Sequence, residues 1–252
     1  SAYAITWNIN NCPLSNSLIT LSNGGSGYLS GGSGTLSSPN IAVSSPVGSG
    51  GTQAYATANL VSNGSGGYIV DKINITTAGA GYITTPTVTI AANSGSKSAT
   101  AVVSGETSSK GGNGWVRYIT KKVVLTPEND SGDLRVYYTA YKPQGSNIYV
   151  YYKMLNRNDT ASFDDQSWQL MTDISTGAAT NSLSRDDLKE FVAAPGTGGI
   201  ADGFVTYTNK NGQVYKDFIQ FSIKIVMTTN DNTTVPFLTD IRALALPSGT
   251  GI

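Results

Sequence analysis

Along much of the chain apolar residues recur at every second position, the period of a strand whose two faces differ. Trp115 to Leu125 places Trp115, Ile119, Val123 and Leu125 on one face and Val116, Tyr118 and Thr120 on the other. Asp133–Tyr141 and Asn147–Met154 are two further strand patterns, separated by Lys142-Pro143-Gln144-Gly145-Ser146. This spacing predicts a hairpin, with Pro143 and Gly145 supplying the turn. Gly203–Tyr207, Tyr215–Met227 and Phe237–Leu246 predict three more strands. In the longest run, Ile219, Phe221, Ile223 and Ile225 form a core face, opposite a partly wet face of Gln220, Ser222 and Lys224. Helical signals are short. Ser184-Arg185-Asp186-Asp187 reads as an N-cap with an acidic first turn, and Ser162–Trp168 as a single turn.

The first 110 residues look like a Gly/Ser linker until their apolar residues are aligned. Leu18-Ile19-Thr20-Leu21 runs into Gly25-Ser26-Gly27-Tyr28, and Ile73-Asn74-Ile75-Thr76 runs into Gly79-Ala80-Gly81-Tyr82. Each Gly-x-Gly-Tyr is followed by a proline-led strand, Pro39–Val43 and Pro86–Ile90. Each then reaches a small-residue strand, Ala56-Thr57-Ala58 and Ala99-Thr100-Ala101. The two copies, about 17–64 and 72–105, sit at offsets of 54, 47 and 43 residues. The glycines suit backbone at positive φ in hairpin turns, with the Tyr packed over them.

Composition divides the chain at the same place. Residues 1–114 hold 5 charged residues and 19 of the 29 glycines, and the remaining 138 hold 27 charges and 10 glycines. The organisation expected is therefore a small β-repeat region over 1–110, a hinge at 111–114, and a β-sandwich or jelly-roll-like domain over 115–252. The fold class is all-β.

Charge and missing residue types narrow the chemistry. Sixteen Lys and Arg balance sixteen Asp and Glu, so no net field favours nucleic acid. No apolar run approaches the roughly 18 residues a membrane helix needs. Histidine is absent, which excludes Ser-His-Asp and Cys-His catalysis and His-ligated zinc. The single Cys12 forms no internal disulfide or multi-cysteine metal site. No P-loop occurs, and the Gly-x-Gly fragments lead into strands rather than a helix N-terminus. Glu128-Asn129-Asp130-Ser131-Gly132-Asp133 departs from calcium-loop spacing and reads as a turn. Asp164-Asp165 and Asp186-Asp187 are adjacent loop residues, not carboxylates flanking a scissile bond. No catalytic, cofactor or metal site is expected.

Tyrosine is the one enriched functional type, 14 residues in 252. Tyr137 and Tyr141 share a strand face with Arg135, and Tyr149 and Tyr151 share one on the next strand. These five residues are the candidate site. They fit three roles: sheet packing, a subunit interface, or a glycan platform aided by Lys142, Lys153 or Gln144.

The stretch Trp115–Leu125 resembles a recurring opening in structural proteins of tailed bacteriophages, especially contractile-tailed phages of cyanobacteria. So do Asp133–Pro143, Ile148–Lys153, Ser162–Trp168, Phe221–Met227 and Val235–Pro247, so the resemblance spans nearly all of 115–247. The Gly-Tyr/Pro repeat is similar to small β-repeats of phage tail and fibre proteins. The resemblance implies a virion location in the tail baseplate, tail or baseplate proteins as partners, and homo-oligomers such as trimers. It implies no catalytic residue set. The alternative within the same group is a receptor-binding module that reads host-surface polysaccharide.

Overall fold

A computed structural model describes residues 19–28, 38–46, 51–82, 84–92, 97–103, 105–112, 114, 116–175, 181–196, 205–229 and 233–247. Among these the chain is all-β, every strand pair is antiparallel and there is no α-helix. Cys12 and Trp115 lie outside the described residues. The described chain divides into two compact units, 19–106 and 107–247.

The division falls upstream of the expected hinge because residues 107–112 are tied down. Trp168 N–H donates to the Thr107 carbonyl (2.9 Å). Lys153 Nζ donates to the Ser109 carbonyl (3.0 Å), Lys224 Nζ to Gly111 (3.2 Å), and Arg117 to Gly112 (2.7 Å). The glycine-rich stretch begins as a docked strap on the second unit.

The first unit holds β1 (Ile19–Asn23), β2 (Ile41–Val43), β3 (Tyr55–Ser62), β4 (Tyr68–Thr77), β5 (Val88–Ile90) and β6 (Thr100–Val103). They pair as β1–β6, β2–β5 and β3–β4. Every strand of one sequence copy therefore pairs with a strand of the other. The Gly-x-Gly-Tyr loops are not hairpin turns, since β1 and β2 lie in different sheets, as do β4 and β5. Ala58 and Ala56 face Ile73 and Ile75, while Val103 and Ala101 face Ile19 and Leu21. The last offset is thus 45 residues (58 to 103), not the 43 given by aligning Ala-Thr-Ala. A slip of two preserves which face each side chain takes, so alternation alone could not detect it.

The second unit begins with β7 (Arg117–Ile119) and β8 (Val123–Val124), two short strands where one long strand was expected. β9 (Ser131–Tyr141) and β10 (Ser146–Leu155) match the tyrosine-rich runs. Short β11 (Gln169–Leu170) and β12 (Thr172–Asp173) precede β13 (Lys189–Ala194), β14 (Thr206–Thr208), β15 (Val214–Lys216), β16 (Gln220–Thr229) and β17 (Phe237–Pro247). One sheet has the order β11-β10-β16-β7, with β8 also on β16; the other has the order β12-β13-β9-β17.

The expected β9–β10 hairpin does not form, because the two strands lie in different sheets. The loop between them, closed by Ser146 N–H on the Pro143 carbonyl (3.1 Å), carries the chain across. The faces are nonetheless those the alternation predicts. Leu134, Val136, Tyr138 and Ala140 of β9 join Ile148, Val150, Tyr152 and Met154 of β10 in one apolar cluster. Phe191, Phe221, Ile223 and Ile225 complete it, with Tyr138 stacked on Phe191 at 5.2 Å. The Ser184–Asp187 stretch forms a turn rather than a helix, with Asp187 accepting from the Leu183 N–H (2.8 Å). Ser162 does cap a 3-10 turn at Phe163–Asp165.

Candidate functional site

The five candidate residues fall on two separate sheet faces. Arg135, Tyr137 and Tyr141 point away from the core on β9, alternating with its buried residues. Arg135 Nε donates to Asp133 (2.9 Å). Tyr137 lies under the guanidinium of Arg242, 5.7 Å from its ring centre, and Arg242 in turn pairs with Glu190 and with Asp240 (3.0 Å). Tyr141 is 8% exposed and packs against Phe237 (5.4 Å), over which Arg185 sits at 5.0 Å. This face sets two arginines, Arg185 and Arg242, over rings of β17 and β9, with Glu190 of β13 holding Arg242.

Tyr149 and Tyr151 occupy the outer face of the other sheet. Tyr151 is fully buried, because Lys224 from β16 lies 4.3 Å above its ring. Lys224 itself is fully buried, and Ser222 beside it is buried too. The face opposite the core of β16 is therefore covered, not partly wet as its polar residues suggested. Its cover is the 107–112 strap and the loop carrying Phe163 and Trp168. Lys153 Nζ stands 5.0 Å from the Trp168 ring and 5.6 Å from Phe163, and also donates to the Asp164 carbonyl (3.3 Å). Lys142, proposed as a hydroxyl donor, sits over Phe191 at 5.4 Å.

Two buried ionisable groups resemble catalytic ones and need weighing. Burial pushes the Lys153 ammonium below its ordinary pKa, only partly opposed by Asp164. A depressed lysine can be a nucleophile. Here its hydrogens are committed to the main-chain carbonyls of Ser109 in the strap and Asp164 in the neighbouring loop, a structural role. Asp159 is the second. Burial alone would raise its carboxyl, but donated hydrogen bonds outweigh that and hold it below the ordinary value. The donors are Ala161 N–H (2.9 Å), Asn209 (3.0 Å), Tyr207 Oη (2.7 Å) and Gln166 (2.9 Å). Tyr207 also accepts from Asn156 N–H (2.8 Å), so the network fastens the end of β10 to β14. Sequence reading named Lys153 only as a hydroxyl donor to a glycan and did not single out the Asp159 carboxylate, because single polar residues in a strand or turn carry no spacing signal.

The acidic turn at Glu128–Asp133 is held by a cation of the chain itself. Arg157 reaches Asp130 (2.6 Å) and Glu128 (3.4 Å). Among the described residues no three acidic, cysteine or histidine side chains converge as metal ligands.

An apolar opening in the second unit lies between the edges of its two sheets. This cleft, about 630 Å³, is lined by Val116, Tyr118, Met227, Leu238 and Ile241, with Asp240 also in its lining. Nothing in it pairs carboxylates or offers a nucleophile and base. No family model, curated protein or solved structure matches the chain.

Proposed function

We propose that the chain is a non-enzymatic structural subunit of a bacteriophage tail, seated in the baseplate, that holds its neighbours through β-rich surfaces. The reading starts from the resemblance of residues 115–247 and is supported most by the fate of the tyrosines. A glycan platform needs several rings side by side on one accessible, preferably concave surface. Here the four rings are split between two sheet faces, Tyr141 and Tyr151 are covered by the chain itself, and Tyr137 carries a guanidinium. A sheet face carrying Tyr and Arg has the composition that protein interfaces favour. The two sheets sharing one core are read as the sandwich expected for such a subunit.

The test uses phage particles. Antibody against the chain should label tails, at the baseplate end, in electron micrographs. Half-buried Tyr149 is the ring to truncate, since Tyr151→Ala would damage the Lys224 layer. Tyr149→Ala should lower the yield of complete tails several-fold, with normal adsorption per particle. Full assembly with lost adsorption would overturn this reading in favour of receptor binding.

A further inference from the structure

Strand β17 runs for eleven residues and, among the described strands, pairs on one side only, with β9. Its other edge borders the apolar cleft, where Leu238 and Ile241 are only half buried and Tyr118 is 53% exposed. An open edge of this length beside exposed apolar surface is a template for another strand. Such edges are commonly blocked by a lone lysine, a proline or like charges pointing along the same face.

β17 carries a different pattern. Asp240 and Arg242 stand two residues apart on its outer face, on either side of inward-facing Ile241. In antiparallel pairing about a two-fold axis through Ile241, Asp240 falls opposite Arg242 of the second copy, and Arg242 opposite Asp240 of that copy. The two isoleucines then meet beside the two clefts. An Asp-x-Arg pair is thus its own complement, the cross-strand arrangement that stabilises sheets. Arg242 has donors to spare, since its guanidinium has five N–H groups and holds Glu190 and Asp240 within the chain. The pairing spans 239–243 on each side and stops at the bulge between Leu238 and Asp240.

We infer that the edge of β17 that no described strand covers docks, over residues 239–243, on β17 of a second copy of this chain, joining two four-stranded sheets into one. The inference deepens the structural-subunit reading by naming a partner for it. Its failure is separable: a chain that labels tails yet stays monomeric overturns the dimer and leaves that reading standing.

The experiment is sedimentation velocity on the full chain from about 1 to 100 μM, in low and high salt. A dimer that weakens with salt is expected, since opposed charges near a surface are screened. Asp240→Arg and Arg242→Asp each place like charges opposite one another. Each should weaken self-association by at least about tenfold. An equimolar mixture of the two variants should regain the dimer, because only the mixed pair restores both opposite-charge contacts. Circular dichroism verifies that each variant is folded; if Arg242→Asp unfolds, Asp240→Arg against the unaltered chain carries the test. A monomer throughout, a dimer indifferent to both substitutions, or folded variants whose mixture stays monomeric would each overturn the proposal.

Discussion

A single carboxylate shows how much depends on position rather than residue type. Asp159 is one of several aspartates in loops, yet its oxygens accept from three side chains and a main-chain N–H inside the second unit. Those donors hold its pKa below the unfolded value despite burial. A group depressed on folding contributes stability that is present above its unfolded pKa and is lost as pH falls through the folded one. The melting temperature should therefore hold from pH 7 to 5 and fall below about pH 4. Asp159→Asn should make that acid limb shallower while costing about 1.5–3 kcal/mol at neutral pH, since an amide replaces an ionised acceptor. Thermal melts of both proteins from pH 7 to 3 measure the difference. Parallel acid limbs would assign the loss to other carboxylates.

At the scale of elements, strands and faces were legible and partners were not. Alternation placed β9, β10 and β17 within two residues of their ends and oriented the core residues of β9, β10 and β16 correctly. The single run expected over Tyr215–Met227 is instead broken into the end of β15 and most of β16. It says nothing about which strand lies alongside. A short loop containing Pro143 and Gly145 serves a hairpin or a crossing between sheets equally well, so the tyrosine platform dissolved once the sheets were known. The same limit hid the strap. Its glycines read as a hinge because composition cannot show that Lys153 and Lys224 reach its carbonyls from below. Ammonium groups bonded in a buried layer contribute about 1.5–3 kcal/mol each. A fragment of residues 107–252 should accordingly melt several degrees above one of residues 115–252, at roughly 2–4 °C per kcal/mol for this size. Lys224→Met, which keeps bulk but removes one of the two ammonium donors, should narrow the gap between the two fragments by up to about half. Equal melting temperatures for the two fragments would return the strap to the role of a hinge.

At the scale of the whole molecule, the first unit carries the more consequential lesson, because its two sequence copies are not two structural modules. The sequence repeat suggests units that stack. The pairing β1–β6, β2–β5 and β3–β4 instead gives each copy no partner of its own. The tyrosines repeat the exchange. Ala99 N–H of the second copy donates to Tyr28 Oη of the first (2.5 Å), and Ala54 N–H of the first donates to Tyr82 Oη of the second (2.8 Å). Gly25 and Gly79, at φ of 66° and 63°, let the loops approach those same segments, where any Cβ would strike backbone at Ala99 or Ala54. The core is shared likewise, with Tyr28, Ile41 and Ala58 from one copy meeting Val70, Ile73, Ile90 and Ala99. An isolated copy would leave its strand edges and one side of that core in water, and a few strands without a covered face are marginal at best. Residues 10–106 should thus fold as one cooperative unit, while a fragment of residues 10–66 should show no dispersed amide spectrum. Adding residues 67–106 in trans should restore it, because every missing partner lies in that fragment. A folded 10–66 fragment would mean that the copies can close on themselves, and that the exchange of strands is a choice of this chain rather than a requirement of the repeat.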